Sequence, residues 1–517
     1  MKDNNDSKKN FFNESQKENE DPMKSETLLL KSSRVSNLEK EKYNEQIKEL
    51  EKEKIKENQT TNQNLQFQKT YEESPSRYYI LVAYCFCIFS SGFQWLSFTS
   101  LPYFSYYYEL SQWKVDFFSL IYIIEYLVLF VPEIILSEKI SVKNMFRICS
   151  LCIIIGSFLK IFINKDKSLS VSYLGQIISG LSRPYLLMIP GKISADWFKE
   201  NKRNFICTIC FLSDIAGILI GYIWNLAYIK KEENNKDDYK DHVYRYFLSG
   251  FVFILVFTIP ALFIDENQPE KPSSPSKKNK MKEFGKESLK IIFSNFKYIF
   301  ILISMFFIGG YYYVMSMKFI QLVGIYSLDK EKSDLVYSIS ITTGVISSLI
   351  ISYILDKYKK YKIFLIILIS ISTLSQLFLT FLLELVESKK LNAYAICIIF
   401  YIFINGSIIP YFSFIINYTC EITYPVAEYI SVSFIIAATQ IYNICGHFLY
   451  KYLLEKNDKK YLCNLLFLIF FFVCIIFTIF YESKLERFEI DKNEENQKDN
   501  KDNNKRDAVL IGVEQKK

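Results

Sequence analysis

The chain has 517 residues, of which 50% are hydrophobic, 17% aromatic and 23% charged, and its formal net charge is +7. These fractions exclude one ordinary soluble domain unless apolar and charged residues are segregated along the chain. They are segregated, because Met1–Arg77 and Glu482–Lys517 hold much of the charge while the middle alternates long apolar runs with short polar loops. The positive charge therefore belongs to tails and loops and does not indicate nucleic-acid binding.

The N-terminal 77 residues contain no apolar segment of the kind found in signal peptides, so the first apolar run is expected to direct membrane insertion. Residues 38–58 within this region are dense in Glu and Lys. They favour a solvated helix, and a coiled coil that binds a partner is the alternative. We therefore predict a disordered or charged-helical cytoplasmic tail over residues 1–77, and tail-binding proteins are the protein partners that it suggests.

Twelve mostly apolar runs of roughly 20 residues follow, and each is long enough to cross a bilayer as a helix. The sequence therefore predicts an all-α polytopic membrane protein with twelve transmembrane helices in two six-helix halves, residues 78–264 and 298–481. Membrane lipid is its expected surrounding. The predicted spans are Tyr78–Phe104, Val115–Leu136, Asn144–Ile163, Leu169–Ile189, Asn204–Ile229, Tyr246–Ile264, Tyr298–Val323, Leu335–Leu355, Ile363–Leu385, Leu391–Tyr418, Val426–Leu449 and Leu462–Tyr481.

Residues 265–297 between the halves are rich in Pro, Ser and Lys and are predicted to form a basic linker. An even number of spans puts both termini on one side, and the connections on that side carry clusters of Lys and Arg. By the positive-inside rule we predict cytoplasmic termini and a cytoplasmic linker. The Asn- and Lys-rich residues 482–517 are predicted to form a disordered cytoplasmic tail. No address signal distinguishes the plasma membrane from an internal organelle membrane.

Two predicted spans have matching charged ends, as expected where a membrane protein is built from paired repeats. The second span begins near Asp116 and the eighth near Asp334, and each ends with an acidic residue followed by basic residues. Such ends can form a breakable charge network that gates the two halves. The alternative is a charge-capped loop that follows the positive-inside rule. The candidate gating residues are Glu138, Lys139, Asp356, Lys357 and Lys360.

Ionisable side chains within the predicted spans are candidates for function, because each costs roughly 2.5–3.5 kcal/mol to insert into a bilayer. Lys160 and Glu133 lie near span ends, and we expect their charged groups to reach toward the membrane surface. Arg183 and Asp214 lie deeper. The full set is Glu125, Glu133, Lys160, Arg183, Asp214, Lys318 and His447.

Aromatic residues occupy equivalent positions in the first span of each half, as Phe93-Gln94-Trp95 and Tyr311-Tyr312-Tyr313. An organic cation over a Trp ring gains roughly 0.5–2 kcal/mol from cation–π attraction. The alternative is that these rings pack or face lipid, since the chain contains 45 Phe and 38 Tyr residues. The pattern therefore allows an aromatic cage without requiring one.

The sequence contains no nucleotide-binding loop, catalytic triad or H-E-x-x-H signature, so we expect no enzymatic activity, no cofactor and no bound metal. The eleven cysteines lie in or beside the predicted spans. We expect them to act as small apolar residues. Gly217 and Gly221, four residues apart, predict close helix packing.

Four segments of the sequence form a recognisable set. They are Phe93-Gln94-Trp95, Leu174-Gly175-Gln176 through Pro190 to Ala195-Asp196-Trp197-Phe198, the Asp356 loop, and Glu421-Ile422-Thr423-Tyr424-Pro425 followed by Gln440. These segments resemble the FLVCR family of the major facilitator superfamily, named after the feline leukaemia virus subgroup C receptors. The likeness extends from Arg77 to about Arg487 and implies a major facilitator fold. The family is associated with choline and ethanolamine transport, and haem export is also proposed for it.

The resemblance implies that a Trp in span 1 and a Tyr in span 7, here Trp95 and Tyr313, hold the ammonium group of the substrate. It also implies cavity-lining glutamines in spans 4 and 11, of which Gln440 matches the second. The first falls on Arg183, and span 5 has Asp214 in place of a neutral amide. Arg183 alone would repel an ammonium group, whereas an Arg183–Asp214 pair would be neutral.

Three functions stay open at this point. The first is an alternating-access transporter of a small organic cation such as choline or ethanolamine. The second is a haem transporter or exporter, in which Arg183 would meet a propionate and His447 is a candidate axial ligand. The third is a non-transporting membrane receptor or scaffold on the same fold.

Overall fold

The computed structural model describes residues 74–101, 103–164, 169–228, 236–265, 283–324, 328, 330–389, 392–455, 461–481, 485 and 487–493. Within these ranges the structure is helical and contains no strand. The predicted N-terminal tail up to residue 73, with its helix over residues 38–58, lies outside them, as does most of the linker.

The N-terminal half is built from helices that run back and forth across the bundle. Most of their residues are apolar, and polar side chains within them are largely buried between helices. The helices are α1 (Arg77–Trp95), α2 (Phe104–Tyr107), α3 (Gln112–Lys139), α4 (Val142–Lys160), α5 (Ser170–Gly180), α6 (Arg183–Met188), α7 (Pro190–Trp197), α8 (Arg203–Tyr228) and α9 (Lys236–Leu262).

The C-terminal half has longer and more regular helices and follows a short helix that lies within the predicted linker. The short helix is α10 (Lys286–Ser294), and the long helices are α11 (Phe296–Gly324), α12 (Lys330–Tyr358), α13 (Tyr361–Lys389), α14 (Ala393–Ile422), α15 (Glu428–Glu455) and α16 (Tyr461–Ile479). The two halves meet through α3 against α15 and through α8 against α12 and α14. We call the end of the bundle where α1 begins the tail end, and the opposite end the loop end.

Eleven helices in the described part of the chain are long and apolar enough to cross a membrane. The remaining predicted span, Leu169–Ile189, is divided into α5 and α6, and α7 follows directly after it. Pro184 and Pro190 each lie in the first turn of a new segment, where a missing N–H removes no helical hydrogen bond. With this broken span the predicted twelve-helix architecture is confirmed, and the break falls deep in the N-terminal half.

The close approach of α8 to α1 depends on glycine. A Cβ at Gly217 would overlap the backbone carbonyl of Phe89, and a Cβ at Gly221 would lie 3.1 Å from the carbonyl oxygen of Phe93. The close packing predicted from the spacing of these two glycines is therefore present. It brings α8, which carries Asp214, against the end of α1, which carries Trp95.

The chain beyond α16 differs from the disordered tail predicted from residue 482. Residues 487–493 form a further helix, α17, that packs against the tail end of the bundle. Arg487 and Asp491 on α17 are each 2% exposed. The polar composition of this segment suggested disorder, but two of its charged residues, Arg487 and Asp491, form buried ion pairs that offset part of their loss of water.

Candidate functional site

The residues predicted to bind substrate lie together at the centre of the bundle. Trp95, Arg183, Tyr313 and Gln440 line one cavity, which in this state is too closed to hold a water molecule. Trp95 and Arg183 come from the N-terminal half, and Tyr313 and Gln440 from the C-terminal half. The cavity therefore lies between the halves, where a carrier that alternates between its two ends places its substrate.

The end of α1 fixes the position of Trp95. The helix ends at this residue, so its carbonyl group has no partner in a following turn and instead accepts a hydrogen bond from Gln176 Nε2 at 3.1 Å. The indole N–H donates to the carbonyl of Ser119 at 3.1 Å. Polar contacts on two sides thus hold the ring in place.

The two aromatic rings of the predicted cage touch each other. The ring centroids of Trp95 and Tyr313 are 5.5 Å apart, with an edge-to-face angle of 79°. Both side chains are 1% exposed. The aromatic pair is therefore closed in this state, and a ligand can reach the rings only when the halves separate.

Arg183 and Asp214 form a bidentate ion pair beside the cage. The Nη1 and Nη2 atoms of Arg183 donate to the two carboxylate oxygens of Asp214 at 2.7 and 2.9 Å, and the side chains are 3% and 2% exposed. The guanidinium carbon lies 5.2 Å from the centroid of the Trp95 ring. The neutral pair considered from the sequence is thus present, and its cation rests on the aromatic ring.

Sequence reasoning missed half of the cavity lining. Tyr122, Ile123 and Tyr126 on α3 and Leu187 on α6 complete it. Tyr122 and Tyr126 are four residues apart and so share one face of α3. That spacing was the available signal, but aromatic residues are too frequent in this chain for it to single them out.

A buried charge cluster closes the loop end of the bundle. Asp116 near the start of α3 accepts a hydrogen bond from Lys318 Nζ on α11 at 2.8 Å and another from Gln112 Nε2 at 3.0 Å. His447 Nε2 on α15 lies 3.4 Å from the same carboxylate. Asp116 therefore links the N-terminal half to two helices of the C-terminal half.

At the tail end, Asp356 caps the start of α8. Its carboxylate accepts hydrogen bonds from the backbone N–H groups of Asn204 and Phe205 at 3.2 and 2.8 Å. Lys359 Nζ donates to Asp356 at 2.9 Å and to the carbonyl of Glu200 at 2.7 Å. A carboxylate at a helix N-terminus is favourable, and here the carboxylate and the helix belong to different halves.

The other candidate gating residues lie away from this contact. Lys139, Lys357 and Lys360 are exposed at the surface of the tail end. Glu138 is also exposed and accepts a hydrogen bond from the backbone N–H of Phe284. Of the five predicted gating residues, Asp356 is the one that the structure brings into the interface between the halves.

The helix α17 adds a second layer to the tail end. Arg487 Nη1 lies 2.9 Å from Glu428 Oε1 on α15, and Arg203 Nη1 on α8 lies 2.9 Å from Asp491 Oδ2. The backbone N–H of Phe488 donates to Glu421 Oε2 at 3.2 Å. The segment after the last span therefore joins the two halves through buried ion pairs.

The prediction that Lys160 reaches toward the membrane surface is wrong. Lys160 is 1% exposed, and its Nζ donates to Gln94 Oε1 at 3.0 Å. Gln94 Nε2 donates in turn to the carbonyl of Ile153 at 3.1 Å. The ammonium group stays inside because a buried amide oxygen is within reach and offsets part of its desolvation.

Comparison with known proteins identifies the superfamily and the fold to which this architecture corresponds. A family model described as the Major Facilitator Superfamily matches residues 81–388, more than half of the chain. A crystal structure of the Major Facilitator Superfamily transporter FucP in the outward conformation has a TM-score of 0.59. It covers 78% of this chain and 99% of its own at 14% identity. At this identity the likeness concerns the fold alone.

Curated relatives agree with the resemblance seen in the sequence. The choline/ethanolamine transporter FLVCR1 of Felis catus is 24% identical over 81% of this chain and 75% of its own length. The choline/ethanolamine transporter FLVCR2 of Homo sapiens is 23% identical over 46% of each chain. An uncharacterized MFS-type transporter of Caenorhabditis elegans is 23% identical over 71% of this chain and 63% of its own. The alignments with the human and worm proteins thus span less than two thirds of those proteins.

The family model covers more than half of the chain, and the fold agrees with it in two helical halves around a central cavity. This chain is a multi-pass membrane protein and belongs to the Major Facilitator Superfamily of transporters.

Proposed function

We propose that this chain is an alternating-access transporter of a small molecule with an organic ammonium group, of the choline or ethanolamine type. The observation that carries the proposal is the closed pair of Trp95 and Tyr313, one ring from each half, on a single cavity. Aromatic faces are the usual partners of alkylammonium groups in proteins. The relatives named as choline/ethanolamine transporters support the same class of substrate.

The charge contacts at both ends of the bundle support the alternating mechanism. Asp116 joins the halves at the loop end, and Asp356 joins them at the tail end. Opening one end while the other stays closed would expose the cavity to one side at a time. We propose Asp356 as a gating residue on this ground, together with Lys359, which was not among the residues predicted from the sequence.

Haem is the weaker candidate for the cargo. His447, the histidine considered as an axial ligand, lies beside Asp116 at the loop end and not on the cavity lining. Arg183 already pairs with Asp214. The aromatic pair of the choline-type proposal already lies on the cavity, whereas haem ligation would require His447 to leave its place beside Asp116.

Uptake by proteoliposomes tests the proposal. The purified full chain is reconstituted, and the uptake of radiolabelled choline, ethanolamine and haem is compared with that of protein-free liposomes. We expect saturable uptake of an ammonium compound that excess unlabelled compound inhibits. A receptor or scaffold would give no saturable flux, and saturable uptake of haem alone would replace the proposed cargo.

A further inference from the structure

Arg183 and Asp214 are not placed symmetrically about the cavity. Arg183 belongs to the cavity lining, whereas Asp214 does not. Asp214 packs closely against α1. Its backbone carbonyl oxygen and its Oδ1 atom lie 2.5 and 2.7 Å from the position that a Cβ atom on Gly92 would occupy. The pair is neutral as a whole, but the cavity meets its positive member.

The Arg183 guanidinium already occupies a cation–π position on Trp95, 5.2 Å from the ring centroid. A cargo that carries only an ammonium group would bring a second positive charge to the same ring. In a buried site the two charges repel strongly, because little water screens them. A cargo with an anionic group beside its ammonium group avoids this repulsion, since the anion can pair with the guanidinium.

The hydrogen-bonding groups of the lining point the same way. A guanidinium has five N–H donors, and the bonds to Asp214 occupy two of its nitrogens. Tyr122 and Tyr313, whose side chains are each 1% exposed, also line the cavity and add two hydroxyl donors. The lining therefore favours a ligand that carries several acceptor oxygens.

We propose that the cargo is an ammonium compound that also carries an anionic oxygen group, a carboxylate or a phosphate, and that Arg183 binds this group. The inference rests on the proposed function, because it uses the same cavity and the same aromatic pair. It goes further by assigning a second subsite to Arg183, with the Tyr122 and Tyr313 hydroxyls as additional donors.

Choline and glycine betaine are a matched pair of probes. Both carry a trimethylammonium group, and glycine betaine has a carboxylate where choline has a hydroxymethyl group. Phosphocholine adds a phosphate to choline and so distinguishes the two anionic groups. We measure equilibrium binding of the three radiolabelled compounds to the purified full chain. The expected result is at least tenfold tighter binding of glycine betaine or phosphocholine than of choline.

The variant that isolates Arg183 is the double substitution Arg183→Gln with Asp214→Asn, which removes both charges together. Binding of the preferred zwitterion should weaken at least tenfold, while choline binding should be retained or improve. The control is Arg245→Gln with Asp241→Asn, an exposed ion pair on α9 with an N–O distance of 2.7 Å. This control should leave the order of the three ligands unchanged.

Each outcome decides the inference. If wild-type protein binds choline as tightly as both zwitterions, the inference is overturned and the proposed function stands. If the folded protein binds none of the three compounds, both are overturned. A double variant that keeps the zwitterion preference would remove Arg183 from the anion subsite. If size-exclusion chromatography shows that this variant does not fold, Arg183→Lys is used instead. Lysine keeps the positive charge but cannot form a bidentate contact with an anionic group, so zwitterion binding should still weaken.

Discussion

The Trp95 ring is held by contacts that leave part of its face to the cavity, which suits the binding role that we propose for it. The indole N–H and the backbone carbonyl of this residue are both hydrogen-bonded to neighbouring spans. A tryptophan fixed in this way loses little further freedom when a ligand binds.

Replacing Trp95 or Tyr313 with alanine is expected to weaken binding of the transported ammonium compound by about 1–2 kcal/mol, roughly five- to thirtyfold. Phenylalanine at either position should cost less because it keeps an aromatic face. Equilibrium binding to the purified variants measures the effect. Phe381→Ala, on a side chain 59% exposed, is the matched control. Unchanged affinity in both alanine variants would exclude the aromatic pair from the binding site.

Arg183 and Asp214 should depend on each other for folding. Arg183→Gln or Asp214→Asn alone leaves a buried charge without its partner, at a cost of about 3–5 kcal/mol, whereas the double variant removes both charges and should be milder. A double-mutant cycle on thermal stability and folded yield measures the coupling. Strictly additive effects would contradict a structural pair.

At the scale of single residues, the sequence predicts those site residues that are either charged within a span or matched by the family resemblance. An Arg183–Asp214 pair is the arrangement that would be neutral beside an ammonium group, and the structure contains this pair. Tyr122 and Tyr126 carry no comparable signal, because an aromatic residue on an apolar helix is unremarkable. Lys160 misled because a position near a span end does not reveal that Gln94 lies within reach.

At the scale of elements, the broken fourth span matters most for the site. Its apolar run predicts one continuous helix. Hydropathy measures how apolar a segment is, and this value does not depend on whether the helix is broken. The two prolines are compatible with either outcome, since each can begin a helix as well as kink one. The break places Arg183 at the start of α6, so its side chain enters the centre of the bundle.

The helix α17 is expected to hold the tail end closed. Asp491→Asn removes the negative charge that lies 2.9 Å from Arg203, which weakens this buried contact between the halves and should favour opening. Cys207 and Cys420, both buried near this contact, report the opening. We expect faster alkylation of these thiols by a membrane-permeant maleimide in the variant than in the wild type.

The control for this experiment is Asp241→Asn, which breaks an exposed ion pair on α9 and should leave the alkylation rate unchanged. Mass spectrometry of the labelled peptides identifies which thiol has reacted. Equal rates for Asp491→Asn and wild type would mean that α17 does not contribute to closure. Faster reaction at every buried cysteine would indicate general destabilisation instead.

At the scale of the whole molecule, the number of spans and the division into halves follow from the sequence because bilayer thickness fixes the length of an apolar helix. The state of the carrier does not follow from it. In the described residues, charged contacts join the halves at both ends, through Asp116 and through Asp356. Which contacts form together depends on the relative placement of the halves, which hydropathy does not encode.

The orientation of the protein in the membrane is predicted from the basic residues in its loops. An epitope inserted in the linker, residues 265–297, should be accessible only from the cytoplasmic side. Protease protection in sealed vesicles of known orientation measures this. An inserted epitope in the connection after α8, residues 229–235, should show the opposite accessibility. Recognition of the linker epitope from outside intact cells would contradict the predicted topology and indicate the opposite one.

The position of α17 has a consequence for biosynthesis. Its residues follow the last span, so they leave the ribosome only after all the membrane-spanning segments have been made. The ion pairs of Arg487 with Glu428 and of Asp491 with Arg203 cannot form before then. The spans are therefore made before these two ion pairs can join the halves at the tail end, and a chain that ends after Tyr481 should contain every span while lacking both contacts.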